Sequence, residues 1–255
     1  TQAAQATATA DKAAMRAKAT TAAQAMVEMP DELHPMYERF GLLFVRVPAG
    51  QFTMGSDSGH SEDQSHSVNL DEYWIGLTEV TNAQYRSFID NRGYLDQSLW
   101  TAFGWRWHRD NSITQPGCWD DLESSSSDQP VVCVSWYEAV AYAAWLSRET
   151  GLEVRLPSEA EWEKAARGTT SRTYPWGEDR PDSTRANFDD DVGKPSPVGS
   201  YPAGAGPYGA LDMAGNVWEW TSSRYADYPY AADDGRDDLG STDGRVARGA
   251  SWSYP

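Results

Sequence analysis

The chain predicts an α+β domain of short strands, about three helices and much specified loop. Three observations point there. Thr81, Ser135 and Ser158 each stand three residues before a Gln or Glu at the head of an amphipathic stretch, the pattern of a capping box. Gly (21) and Pro (14) punctuate the 255 residues too often for a helical bundle. The 12 Trp and 13 Tyr supply an aromatic core, and the chain is long enough to bury one.

Residues 1–30 are Ala-rich and lack aromatic side chains, with Met15, Ala19, Ala22 and Met26 forming a weak stripe. They are expected as a solvated tail or as a helical arm that docks on a partner. Residues 1–40 are assigned to this arm and residues 41–255 to the domain. From Leu42 the pattern becomes two short strands around a Pro48-Ala-Gly50 turn, and Val68 and Leu70 mark another strand. The first capping box opens a helix through about Asp90 that presents Tyr85, Phe88 and Ile89, with Gly93 ending it. Trp100 to Asp128 is too irregular to assign, and Pro130 to Val134 reads as a short buried strand. The second helix carries Ala139, Tyr142, Ala143 and Leu146 at i, i+3, i+4, i+7 and stops at Gly151. The third turns Trp162, Ala165 and Ala166 inward and stops at Gly168. Turns and short strands follow.

The formal charge of −17 argues against nucleic acid, because phosphate binding needs clustered Lys and Arg. It also disfavours an anionic membrane surface. No apolar run approaches the roughly 20 residues that span a bilayer. The sequence opens on Thr1, and its Ala/Thr/Gln-rich start matches what an export signal leaves behind, so a periplasmic or extracellular location is expected. Cys118 and Cys133 are the only cysteines. They allow a disulfide closing a short acidic loop, or two separate buried thiols. No nucleophile elbow, Walker or Rossmann glycine pattern is present.

A series of motifs appears in order over residues 44–252: Val47-Pro-Ala-Gly-Gln-Phe-Thr-Met-Gly55, His66-Ser-Val-Asn-Leu70, Glu79-Val-Thr-Asn-Ala-Gln-Tyr85, Pro130-Val-Val-Cys-Val-Ser-Trp136, Arg155-Leu-Pro-Ser-Glu-Ala-Glu-Trp162, Tyr174-Pro-Trp-Gly177, Pro197-Val-Gly-Ser-Tyr201, Gly209-Ala-Leu-Asp-Met-Ala-Gly-Asn-Val-Trp-Glu-Trp220 and Arg248-Gly-Ala-Ser-Trp252. With them the chain resembles the formylglycine-generating enzyme, or sulfatase-modifying factor, family. The resemblance implies that family's variant of the C-type-lectin-like fold. It also implies a return strand at the C-terminal end, which is missing from this sequence.

Copper-dependent members bind Cu(I) through two cysteines just after the Arg-Gly-Gly-Ser element, and thiolates suit that soft ion. Here Tyr254 stands at the first of those positions, and Cys118 and Cys133 lie far upstream, so copper is not expected. Relatives that make sulfoxides hold iron with three histidines. This chain offers only His34, His60, His66 and His108, for which surface or capping roles are expected. The resemblance implies structural calcium at Asn216, the Val217 carbonyl and Glu219, and a second site would use Asn187, the Phe188 carbonyl and one or more of Asp189, Asp190 and Asp191, since calcium takes such mixed oxygen ligands. The alternatives are hydrogen bonds to loop amides for the first set and a solvated acidic loop for the second. Glu159, Glu161 and Glu163 are expected to cap a helix and pair with Arg155 or Arg167.

The expected function is a non-catalytic, calcium-stabilised accessory subunit of a larger assembly. The alternatives are a formylglycine-generating or related oxidoreductase acting on a protein cysteine or a small molecule, and a lectin-like binder that uses the Tyr-rich acidic tract from Asp227 to Asp243.

Overall fold

A computed structural model describes residues 2–57, 64–121 and 124–254. It contains α1 (Gln2–Glu28), α2 (His34–Phe40), β1 (Phe44–Val47), β2 (Gly50–Met54), β3 (His66–Leu70), β4 (Tyr73–Gly76), α3 (Asn82–Asp90), α4 (Ala102–Asp110), α5 (Trp136–Thr150), α6 (Glu159–Arg167), β5 (Glu219–Arg224) and β6 (Arg245–Arg248). The three helices read from capping boxes are α3, α5 and α6, and each forms the reciprocal side-chain and backbone bonds of that motif. Helices α1, α2 and α4 come in addition.

The strands make three two-stranded antiparallel sheets, β1 with β4, β2 with β3, and β5 with β6. The two strands flanking the Pro-Ala-Gly turn therefore exist but do not pair with each other. Lys164 explains the divergence: buried in α6, it donates from Nζ to the carbonyls of Pro48 and Gly50 at 2.7 and 2.8 Å. The expected strand at Pro130 shrinks to one bridge, Thr81 to Pro130. Cys133, with φ of 56°, turns the backbone left-handed where a strand would have to stay extended.

One core joins α3 to α5 through Tyr85, Phe88, Tyr142, Trp145 and Leu146, and Met36 of α2 reaches it. Gly93 closes it, because a Cβ there would stand 1.9 Å from the Phe88 ring. A second core sets Val45 and Val47 of β1 against Trp162 and Ala165 of α6 and Leu211, with Ala25 of α1 inside it. A third joins Phe52, Met54 and Val68 to Ala160 and Tyr230. All eight residues from Glu159 to Ala166 are buried, so α6 runs through the middle of the domain with charged faces as well as apolar ones enclosed. No helix among the described residues is long and apolar enough to cross a membrane.

Candidate functional site

The segment from Asp212 to Trp220 crosses the domain centre. Asp212 and Asn216 take left-handed backbone angles, φ 58° and 59°, with Gly215 between them at 82°. Asn216 is saturated: its oxygen accepts from the Ser196 amide at 2.8 Å, and its nitrogen donates to Glu79 at 2.9 Å. Around it lie three acids, Glu79 and Asp212 buried and Glu219 partly buried. Burial raises Glu79 well above the usual carboxylate range, and the charges of Asp212 and Glu219 add to the shift. Burial likewise raises Asp212, and it pushes Glu219 up to about 8. All three therefore keep their protons to higher pH than ordinary carboxyls, and Glu219 is largely protonated at neutral pH.

The residues expected to bind calcium are only partly brought together. Asn187 and Asn216 touch, the Asn216 amide donating to the Asn187 carbonyl at 2.8 Å. The side-chain oxygen of Asn187 is buried and has no hydrogen-bond partner. The Phe188 carbonyl accepts from the Asp191 amide, and Asp189 and Asp190 donate their amides to the carbonyls of Tyr254 and Trp252. Val217 is buried, while Glu219 accepts from the Trp162 indole at 3.2 Å.

The remaining candidates are dispersed. Cys118 and Cys133 form a disulfide, Cα atoms 5.5 Å apart. His66 is engaged at both ring nitrogens, by the Gln64 carbonyl and the Tyr230 amide. His34 bonds the Met29 carbonyl, and His108 sits among Tyr94, Trp100 and Trp105. His60 lies outside the described residues. Among the described residues no three His, Cys, Asp or Glu side chains cluster as a metal site. With both cysteines in the disulfide, the described residues offer no free thiolate, and their donors do not fit a Cu(I) centre.

Open space gathers around α6 and β6. A polar pocket of about 130 Å³ is lined by Glu159, Glu163, Arg167, Tyr225, Tyr228 and Arg248. An adjoining groove of about 220 Å³ is lined by Trp162, Tyr174, Pro175, Met213, Trp218 and Gly249 and shares Arg167 and Arg248 with the pocket. Arg248 donates to Glu163 at 2.7 Å, lies 3.7 Å from Glu159 and covers the Trp162 ring. Glu163 also accepts from the Gly55 amide and from Arg167, whereas Glu161 on another face holds Arg155 in a bidentate pair. Burial raises Glu159, opposed by Arg248. Trp218 is 47% exposed and meets the Tyr254 ring edge-on. These residues can seat an extended ligand on aromatic walls and orient a polar group on Arg248.

Sequence reasoning named the α6 glutamates but not Arg248 as the shared partner of Glu159 and Glu163, and it named Glu219 but not Glu79 and Asp212 as the acids beside it. The Arg248-Gly-Ala-Ser-Trp and Glu79-Val-Thr-Asn motifs were the available signal.

The Sulfatase-modifying factor enzyme 1-like domain matches residues 39–255. Hercynine oxygenase of Mycolicibacterium smegmatis is 38% identical over 236 residues, covering 82% of this chain and 54% of that protein. The formylglycine-generating enzyme of Mycobacterium tuberculosis is 35% identical, covering 73% of this chain and 75% of that protein. The inactive C-alpha-formylglycine-generating enzyme 2 of Bos taurus is 31% identical, covering 82% and 75%. The structure of PvdO from Pseudomonas aeruginosa superposes with a TM-score of 0.59 at 28% identity, over 83% of each chain. The chain spans about half the length of the hercynine oxygenases it matches. Those relatives, enzymes at 36–38% identity, overturn the expectation of a non-catalytic accessory subunit and favour the oxidoreductase alternative. By the model match over residues 39–255 and by these identities, the chain belongs to the sulfatase-modifying factor, or formylglycine-generating enzyme, family.

Proposed function

We propose that this chain is the substrate-holding domain of an oxidoreductase that acts on a protein cysteine or on a small molecule. The carrying observation is the 38% identity to a hercynine oxygenase over 82% of the chain. The groove and pocket that meet at Arg248 give the substrate a place: Trp218 and Tyr174 offer ring faces, Arg248 and Arg167 orient an anionic group, and Trp162 excludes water from beneath. Among the described residues, His34, His66 and His108 are dispersed and the two cysteines are joined, so those residues do not make up a copper or three-histidine iron centre. The disulfide suits an oxidising, extracytoplasmic compartment.

The test is oxygen consumption and product mass with the full-length polypeptide, loaded in turn with Fe(II) and Cu(I). It is offered hercynine with cysteine in one arm and a cysteine-containing peptide in the other. Turnover of one substrate, with Arg248→Ala raising KM while the fold is retained, supports the assignment. No oxygen uptake with either substrate under both metals rejects it.

We also propose a structural calcium ion at the 187–191 loop. The unpartnered, buried Asn187 Oδ1 favours it, and the adjoining Phe188 carbonyl and Asp189, Asp190 and Asp191 are the oxygen donors nearest to it in the chain. Chelator should lower Tm in wild type but not in Asn187→Ala; an unchanged wild-type Tm, with no calcium by elemental analysis, removes the ion.

A further inference from the structure

A second cleft, of about 580 Å³, opens on the side of α6 away from Arg248, between α5 and the acidic loop that follows β5. Its volume falls in the range of roughly 300–1,000 Å³ typical of small-molecule sites. The walls are aliphatic: Val140, Ala143 and Ala144 of α5, Val154 and Leu156 from the next segment, and Leu239 from the loop. The paired alanines create the space, since larger side chains on that face of α5 would fill it.

Three charged groups line the cleft, Arg155, Glu161 and Asp237. Arg155 and Glu161 cancel, joined by two bonds of 2.7 Å. Asp237 is held only by hydroxyls: Ser222 and Ser223 donate to Oδ1 at 2.9 and 2.6 Å, and Tyr230 donates to Oδ2 at 2.9 Å. Among the described residues no cationic side chain stands within ion-pair distance of it; Arg155 and Arg245 feel its charge only from farther away. An aliphatic cleft thus carries one carboxylate without a salt-bridge partner among the described residues, oriented by three donors, within a chain of net charge −17 that draws cations.

We propose that this cleft binds a small organic cation with an apolar body, its ammonium or guanidinium group on Asp237 and its hydrocarbon against Ala143 and Ala144. The site is separate from the Arg248 groove and does not depend on the oxidoreductase assignment.

Hexylammonium is the probe, titrated calorimetrically into the intact protein beside isosteric hexanol and hexanoate. Hexylammonium should bind at least about tenfold more tightly than either. Asp237→Asn should abolish that preference, and Ala143→Leu should block all three probes. Hexanol binding as tightly as hexylammonium, or no hexylammonium binding at millimolar concentration, overturns the proposal. Should Asp237→Asn fail to fold, Ala144→Leu decides: unchanged hexylammonium affinity places the probe elsewhere and refutes the site.

Discussion

The side-chain amide of Asn216 donates to a carboxyl oxygen of Glu79, 137 positions earlier in the chain, at 2.9 Å. The bond ties the strand-to-helix passage before α3 to the loop that feeds β5. Both residues are buried, and the second Glu79 oxygen makes no hydrogen bond. A protonated Glu79 tolerates that setting, whereas an ionised one would face the full cost of desolvation.

Glu79→Gln should therefore be mild and Glu79→Ala severe. The amide keeps an acceptor for Asn216 and adds no charge, so the change should stay within about 1 kcal/mol. Alanine leaves Asn216 unpaired beside a void and should cost about 2–4 kcal/mol. Urea denaturation of both variants checks the ordering; equal losses would mean that the charge, not the bond, matters.

Gly215→Ala should loosen the central loop. A Cβ there would lie 2.3 Å from the Asn187 carbonyl oxygen, at φ 82°, where side chains are strained. The strain alone is worth roughly 1–3 kcal/mol, and the overlap adds to it. Thermal unfolding should show the loss, and a calcium-dependent Tm shift, if present in wild type, should shrink with it.

Reduction of the Cys118–Cys133 disulfide should lower stability by about 3 kcal/mol, the loop-closure entropy of a 15-residue separation. The double serine variant should reproduce the loss and respond no further to reductant. An unchanged urea midpoint on reduction would show that the loop is held by its other contacts.

His108 should make the protein acid-sensitive. Burial lowers its pKa below the ordinary 6.5, and the nearby Ile113 backbone offsets only part of the shift. The unfolded chain then binds the proton first. Its contribution to stability is complete above pH 6.5 and is lost as the pH falls through that value towards the folded pKa. Neither ring nitrogen has a partner of hydrogen-bond geometry, so His108→Phe should be tolerated at pH 7.5 and should flatten the dependence of Tm between pH 7.5 and 5.5. A slope identical to wild type would assign the acid sensitivity to other groups.

Elements governed by local chemistry were legible in the sequence. Helices α3, α5 and α6 announce themselves because cap, periodicity and, for α5 and α6, a terminal glycine at Gly151 or Gly168 all lie within one short window. Helix α4 was not legible: Thr101 caps it alone, without the reciprocal glutamate or glutamine, and its aromatic residues imitate loop composition. The strand pairings escaped for a different reason. What separates β1 from β2 is a lysine more than a hundred positions away. The candidate site divides in the same manner. The α6 glutamates could be named from their helix, but Arg248 and Glu79 become meaningful only when the fold delivers their partners.

The buried acids alter what the formal charge of −17 means. That figure counts every carboxylate as ionised, yet Glu79, Asp212, Glu159 and Glu219 all retain protons more strongly in the folded molecule than in the open chain. Near neutrality the native protein is consequently less anionic than its own denatured form. Unfolding it releases acid, and in a weakly buffered solution the loss of structure should be readable on a glass electrode.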